Sequence, residues 1–262
     1  MADTELVSFL IAGAQKGGTS ALFDYLGDEP GLALSATKEA HFFDDEALDW
    51  GRPDYGAYHA QFPAPDGRPR GEATPIYLYW PNSLERVRAY NPAMKLIVLL
   101  REPVERAWSH WKMEYARGAE TKPFAWCVRE GRERLFDADP SGAAPPGAAP
   151  PGAAPWGFHR EHSYVERGFY GEQIERLLEL FPRDQLLVLR SKDLRDDPGA
   201  VLAAARRFLG LAPGRSPRAR EIHVGAQMDY GAALTAADVE HLGRIYARDL
   251  TRLADLTGVR FD

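Results

Sequence analysis

The chain has 262 residues, 45% of them hydrophobic, enough to bury one large core or at most two. Its formal net charge of −6 argues against a broadly basic surface for nucleic acid or membrane, while leaving room for a local basic pocket. Cys127 is the only cysteine, so there is no intrachain disulfide, and a lone thiol suits a reducing compartment.

The first residues, MADTELVSFLIAG, put acids ahead of a short apolar run, where a secretory signal would carry positive charge. No apolar stretch approaches the ~20 residues of a bilayer span, so a soluble, cytoplasmic protein is expected. Residues 6–11, LVSFLI, read as a short buried strand, and a helical pattern starts at residues 19–26. Between them lies AGAQKGGTS, residues 12–20. Glycines let the backbone turn tightly and approach a ligand. The following helix N-terminus offers unpaired N–H groups, Lys16 a full charge, and Thr19 and Ser20 hydroxyl donors. The bland alternative is an ordinary turn with a cap at Thr19. The lysine precedes the glycine pair, which is not the G-x-x-x-x-G-K-[ST] order of a Walker A loop, and the spacing is not G-x-G-x-x-G.

Further helical patterns fall at residues 83–90, 103–117, 171–181, 198–209 and 236–257, and apolar strand-like runs at 95–100, KLIVLL, and 185–189, QLLVL. Short continuous apolar runs alternating with helices indicate an α/β fold, a three-layer sandwich around a central, mainly parallel sheet, carrying a P-loop-like phosphate loop. Arg101 follows the 95–100 strand, Pro103 opens the next helix, and Ser109 comes eight residues after Arg101. Ligands of open α/β sheets lie beyond the carboxyl ends of the strands, so Arg101 faces the same rim as the Lys16 loop if the two strands are neighbours. The alternative is a surface pair with Glu102 or Glu105. Residues 141–156, SGAAPPGAAPPGAAPW, repeat with a period of five and have no face to bury; they read as a flexible insertion in a single domain spanning residues 1–262.

Residues 16–20, KGGTS, after a strand resemble the 5'-phosphosulfate loop of sulfotransferases that use 3'-phosphoadenosine 5'-phosphosulfate (PAPS). LREPVERAWSHW resembles their 3'-phosphate motif, in which an arginine and a serine about eight residues later hold the 3'-phosphate. TKEAHFFDDE (37–46) and GEATPIYLYWP (71–81) resemble segments of the branch that includes the heparan sulfate sulfotransferases and many bacterial enzymes, and residues 166–198 resemble the helix–strand unit that follows. The likeness spans roughly residues 6–210 apart from the repeat.

The resemblance implies a sulfotransferase that moves a sulfuryl group from PAPS to a hydroxyl, or less readily an amine, of a small-molecule, lipid or glycan acceptor. Lys16, Gly17, Gly18, Thr19 and Ser20 would hold the phosphosulfate, with Lys16 at the bridging oxygen as a cation that stabilises the leaving group. Arg101 and Ser109 would read the 3'-phosphate. Glu39 is the candidate general base and His41 the second candidate; two residues apart in an extended segment, they face one side. Their alternatives are a carboxylate paired with Lys38 and a histidine packed beside Phe42 and Phe43. No metal is expected. Three departures stand out: Ala73 replaces a lysine common in relatives; residues 222–230 carry no lysine or arginine where a late basic loop is expected, with Arg218 and Arg220 either substituting for it or only decorating a loop; and the repeat falls where relatives shape the acceptor cleft. Phe42, Phe43, Trp50, Tyr77, Tyr79 and Trp80 are candidates for either that cleft or the core. The rival readings are a P-loop small-molecule kinase, disfavoured by the lysine order, and a non-catalytic nucleotide-binding protein on the same scaffold.

Overall fold

The computed structural model describes residues 6–135, 157–214, 230–231 and 233–261. Apolar runs build β1 (Phe9–Gly13), β4 (Lys95–Leu100) and β5 (Leu186–Arg190), and two further strands, β2 (Ala33–Leu34) and β3 (Arg70–Ala73), complete the sheet. Its order is β2-β3-β1-β4-β5, and every pairing is parallel. The helices in chain order are α1 (Thr19–Gly27), α2 (Tyr55–His59), α3 (Ser83–Tyr90), α4 (Pro103–Arg117), α5 (Phe124–Cys127), α6 (Gly157–His162), α7 (Tyr170–Leu180), α8 (Ser191–Asp196), α9 (Pro198–Leu209) and α10 (Ala236–Thr257).

Side chains alternate across a strand, so each central strand feeds two cores. Leu10, Ala12, Leu96, Val98 and Leu100 pack on one face with Leu84, Val87, Ile174, Leu177 and Leu253, from α3, α7 and α10. Phe9, Ile11, Ile97 and Leu99 pack on the other with Leu22, Leu26, Val201 and Leu202, from α1 and α9. The result is the three-layer α/β sandwich expected from the alternation of elements. A third cluster joins α4, α5 and α10 through Trp111, Phe124, Leu242 and Tyr246.

After β1 the chain builds β2 and β3 on one side of it, then crosses to β4 on the other. The carboxyl ends of β1 and β4 therefore open one shared rim, where the strand order reverses. The repeat at 141–156, most of the late 222–230 segment, Arg218 and Arg220 lie outside the described residues.

Candidate active site

The glycine loop leaves the sheet where the β1–β4 register slips by one residue, between Ile11 and Gly13. It is pinned to β4: Ala14 N–H donates to the Leu99 carbonyl at 3.0 Å, and Gly17 N–H to the Ala14 carbonyl at 2.8 Å. Only glycine fits at position 17, because a Cβ there would lie 2.1 Å from the Leu99 carbonyl oxygen. Gly18 is the N-cap of α1 with φ +91°, so no side chain caps that helix, and its first turn carries no acid. By contrast, α4 is capped by Glu102, which accepts from Val104 and Glu105 N–H. The α1 N-terminus thus keeps its donors and its positive dipole end for an anion. Thr19, buried, and Ser20, half-buried, open the helix.

Lys16 adopts φ 66° and places Nζ 3.6 Å from Met113 Sδ of α4. Burial pushes its pKa down, and the nearby cations Arg117, Arg101 and Lys38 push the same way, while Glu114 opposes them. Positive charge is therefore concentrated at this rim, with Glu114 as the nearby counter-charge. Two side chains brace the loop from outside. Ser191 Oγ donates to the Gly17 carbonyl, and the buried Arg167 donates to Gln15 Oε1.

Arg101 stands at the carboxyl end of β4, on the rim that the loop occupies. It pairs with Glu105, Nε to Oε2 at 3.0 Å, as the surface alternative anticipated, and its carbonyl accepts from Tyr170 OH at 2.9 Å. It also lines a cavity of about 210 Å³ between the ends of β4 and β5, together with Leu100, Arg190 and Ser191. Ser109 lies half-buried in the second turn of α4 and does not line that cavity.

The 37–46 segment is held by its aromatics. Phe42 and Phe43 are buried, and Tyr77 OH accepts from Phe42 N–H at 3.0 Å. Glu39 N–H donates to the Ala73 carbonyl at 2.9 Å, tying the segment to β3. Glu39 and His41 do share a side, but not through extended backbone: both lie in the left-handed region, with φ 64° and 49°. Their side chains converge, His41 Nε2 to Glu39 Oε2 at 3.6 Å. Glu39 also pairs with Lys38, the alternative the sequence left open. On its other nitrogen His41 meets the fully buried Asp44, Nδ1 to Oδ2 at 2.9 Å. Arg160 of α6 closes the chain: it donates to the Asp44 carboxylate and carbonyl and stacks 4.2 Å over Trp80.

This order sets the charges. Asp44 and then Glu39 raise the His41 pKa to about 9, and hydrogen bonds from His41 first and Lys38 second lower that of Glu39 to about 2, against the opposing effect of burial. At neutral pH the arrangement is carboxylate–imidazolium–carboxylate, so of the pair Glu39 is the unprotonated group and His41 the protonated one.

A family model described as the sulfotransferase domain matches residues 7–223. The chain belongs to the sulfotransferase family. This sulfotransferase-family chain is 29% identical over 212 residues to heparan sulfate glucosamine 3-O-sulfotransferase 3B1 of Homo sapiens, covering 79% of this chain and 47% of that protein. It is 31% identical over 207 residues to heparan sulfate glucosamine 3-O-sulfotransferase 6 of Mus musculus, covering 77% and 52%. It thus spans about half the length of the curated relatives it matches. The crystal structure of a sulfotransferase from Alicyclobacillus acidocaldarius superposes with a TM-score of 0.75 at 27% identity, covering 97% of this chain and 96% of that one.

Within this sulfotransferase fold the sequence left several residues unassigned. Asp44, Arg160, Arg167 and Gln15 each join the site through contacts 116 or more residues away in sequence, apart from the local Asp44–His41 step. Of the aromatics, Phe42, Phe43, Tyr77 and Trp80 are core; Trp50 and Tyr79 are half-buried against it or its rim. Ala73 is buried on β3 with its methyl among Phe9 and Ile11, and supplies no charge. Cys127 is buried with its thiol pushed up to about 12 by burial, which makes it a packing residue. Among the described residues no group of three or more His, Cys, Asp or Glu is placed to hold a metal ion, and no helix is long and apolar enough to cross a membrane.

Proposed function

We propose that the protein is a PAPS-dependent sulfotransferase that transfers a sulfuryl group to a hydroxyl, or secondarily an amine, of a small-molecule, lipid or glycan acceptor. The observation that carries the reading is the uncapped, acid-free N-terminus of α1 with Lys16 beside it, on the same rim as Arg101 and within electrostatic reach of the Lys38–Glu39 pair. The 5' phosphosulfate belongs on residues 16–20 and the 3'-phosphate beside Arg101, with Ser109 as its second ligand in the same motif. The relatives named for heparan sulfate glucosamine 3-O-sulfation favour a hydroxyl as acceptor. The single buried thiol fits a reducing, cytoplasmic location, and the end-to-end likeness to the Alicyclobacillus protein fits a bacterial enzyme.

In the reaction the acceptor oxygen attacks sulfur, and the bond from sulfur to the bridging phosphate oxygen breaks. The Lys16 ammonium neutralises the charge that collects on that oxygen. The acceptor proton passes to Glu39, which His41 and Lys38 hold ionised and oriented. A carboxylate this acidic accepts a proton late, once the new S–O bond has acidified the attacking oxygen.

A thermal-shift titration with 3'-phosphoadenosine 5'-phosphate (PAP), set against ADP and ATP-Mg²⁺, tests the donor. Stabilisation by PAP and not by the others is expected, since a ligand bound to the native state alone raises Tm. Stabilisation by ATP-Mg²⁺ with no response to PAP would move the protein to the kinase class.

A further inference from the structure

The cavity beyond β4 and β5 is lined by five cations, Arg101, Arg190, Lys192, Arg195 and Arg260, and two acids, in a chain whose net charge is −6. Four of the cations have acidic neighbours. Arg101 pairs with Glu105 at 3.0 Å, Arg190 with Asp193 at 2.7 Å, Lys192 with Asp196 at 2.5 Å, and Arg195 lies 3.8 Å from Asp196. The Arg260 guanidinium, exposed at the cavity edge, has no ion pair or hydrogen bond among the described residues.

The segment that carries Arg260 is fixed on both sides. Arg190 NH1 donates to the Arg260 carbonyl at 3.3 Å, and Val259 N–H to Thr257 Oγ1 at 3.1 Å. The Phe261 ring lies 6.1 Å from the ring of Tyr170, whose hydroxyl holds the Arg101 carbonyl. One tyrosine therefore couples the placement of the two arginines. Ser191, on the same wall, bonds the Gly17 carbonyl, so the cavity adjoins the phosphosulfate loop. Residues 222–230, where a late basic loop was expected, offer no lysine or arginine.

We propose that Arg260 is a specificity-determining ligand of the donor site: with Arg101 it takes the second anionic group of a nucleotide phosphorylated on its ribose as well as at its 5' end, so that the C-terminal segment after α10 replaces the cations missing from residues 222–230. The inference rests on the PAPS reading above. A guanidinium forms charge-assisted, forked hydrogen bonds with phosphate, a geometry that lysine reproduces only in part.

Isothermal titration of the full chain with PAP and with ADP, for wild type, Arg260→Ala and Arg260→Lys, tests it. Arg260→Ala is expected to weaken PAP about tenfold or more, to leave ADP within about twofold, and Arg260→Lys to recover part of the loss. Arg260 is exposed, so an unchanged Tm of the free variants is expected and excludes misfolding as the cause. PAP affinity within about twofold of wild type in Arg260→Ala, or an equal loss for PAP and ADP, overturns the assignment while the PAPS reading stands. Failure of wild type to bind PAP at all overturns the PAPS reading and this inference with it.

Discussion

Three of the four non-glycine residues with positive φ among the described residues are Lys16, Glu39 and His41. Left-handed backbone costs a side-chain-bearing residue on the order of 1 kcal/mol, and such positions persist where the surroundings over-determine them. Here the surroundings are visible: β4 pins the glycine loop, and Tyr77 and Ala73 pin the 37–46 segment. If Lys16 neutralises the leaving oxygen, Lys16→Ala should lower kcat by roughly 10²–10³-fold while PAP, held also by the α1 N-terminus, still binds. Turnover close to wild type would remove Lys16 from the chemistry. The charge order at Glu39 and His41 predicts the pH profile. Glu39, near 2, stays ionised through the assay range, whereas His41 loses its proton near about 9. Turnover should therefore stay level through neutral pH and fall above about pH 9, and His41→Gln should lower kcat and abolish that alkaline limb. An alkaline limb that survives in His41→Gln belongs to another group, and Lys16 is then the next to test.

The α6 helix, six residues long, works as a strap between the two halves of the site. Arg160 grips Asp44 and so orients His41, while Arg167 accepts no freedom of its own: it donates to the carbonyls of His159 and Arg160, to Ser163 Oγ and to Gln15 in the glycine loop. Arg160→Ala should consequently reduce kcat by about tenfold with little change in PAP affinity, because the pair it breaks orients His41 and is only partly exposed. A matching loss of PAP affinity would show that Arg160 acts on the fold as a whole. None of this strap was legible in the sequence. The strands β1, β4 and β5, the long helices and the positions of Lys16 and Arg101 were, because each is encoded by a local pattern: an apolar run, a helical period, a glycine pair. β3 was hidden because its RGEA sequence carries two buried charged residues, Arg70 and Glu72. Arg70 donates to the His59 carbonyl, and Glu72 accepts from Thr74 and Tyr58. None of these contacts leaves a periodic trace in the sequence. The 39–41 segment was expected to be extended, and its two left-handed residues are set by tertiary hydrogen bonds that no local signal announces.

At the scale of the whole molecule, Glu72 puts a completely buried carboxyl against Tyr58 of the larger core, beneath residues 37–46. Thr74 Oγ1 donates to it at 2.6 Å and also lies 3.5 Å from His41 N–H, so this one residue connects sheet, aromatic core and candidate base. Burial raises the Glu72 pKa to about 7, despite opposing hydrogen bonds. The unfolded chain releases that proton near the ordinary glutamate value of about 4.3. Between these two values the native state binds more protons than the unfolded state, so stability falls as pH rises through the window and the penalty is complete above about 7. The size expected is about 4 kcal/mol, from ~1.4 kcal/mol per pH unit across the interval. In Glu72→Gln the side chain stays neutral and similar in shape, so the decline between pH 5 and 8 should be largely lost, even if the amide satisfies only one of the two hydroxyls and lowers stability at pH 5. Denaturant unfolding of both proteins across that range measures the slopes directly. Parallel slopes would place the native Glu72 proton loss at the ordinary glutamate value, and with it an ionised carboxylate that the core tolerates by hydrogen bonding alone.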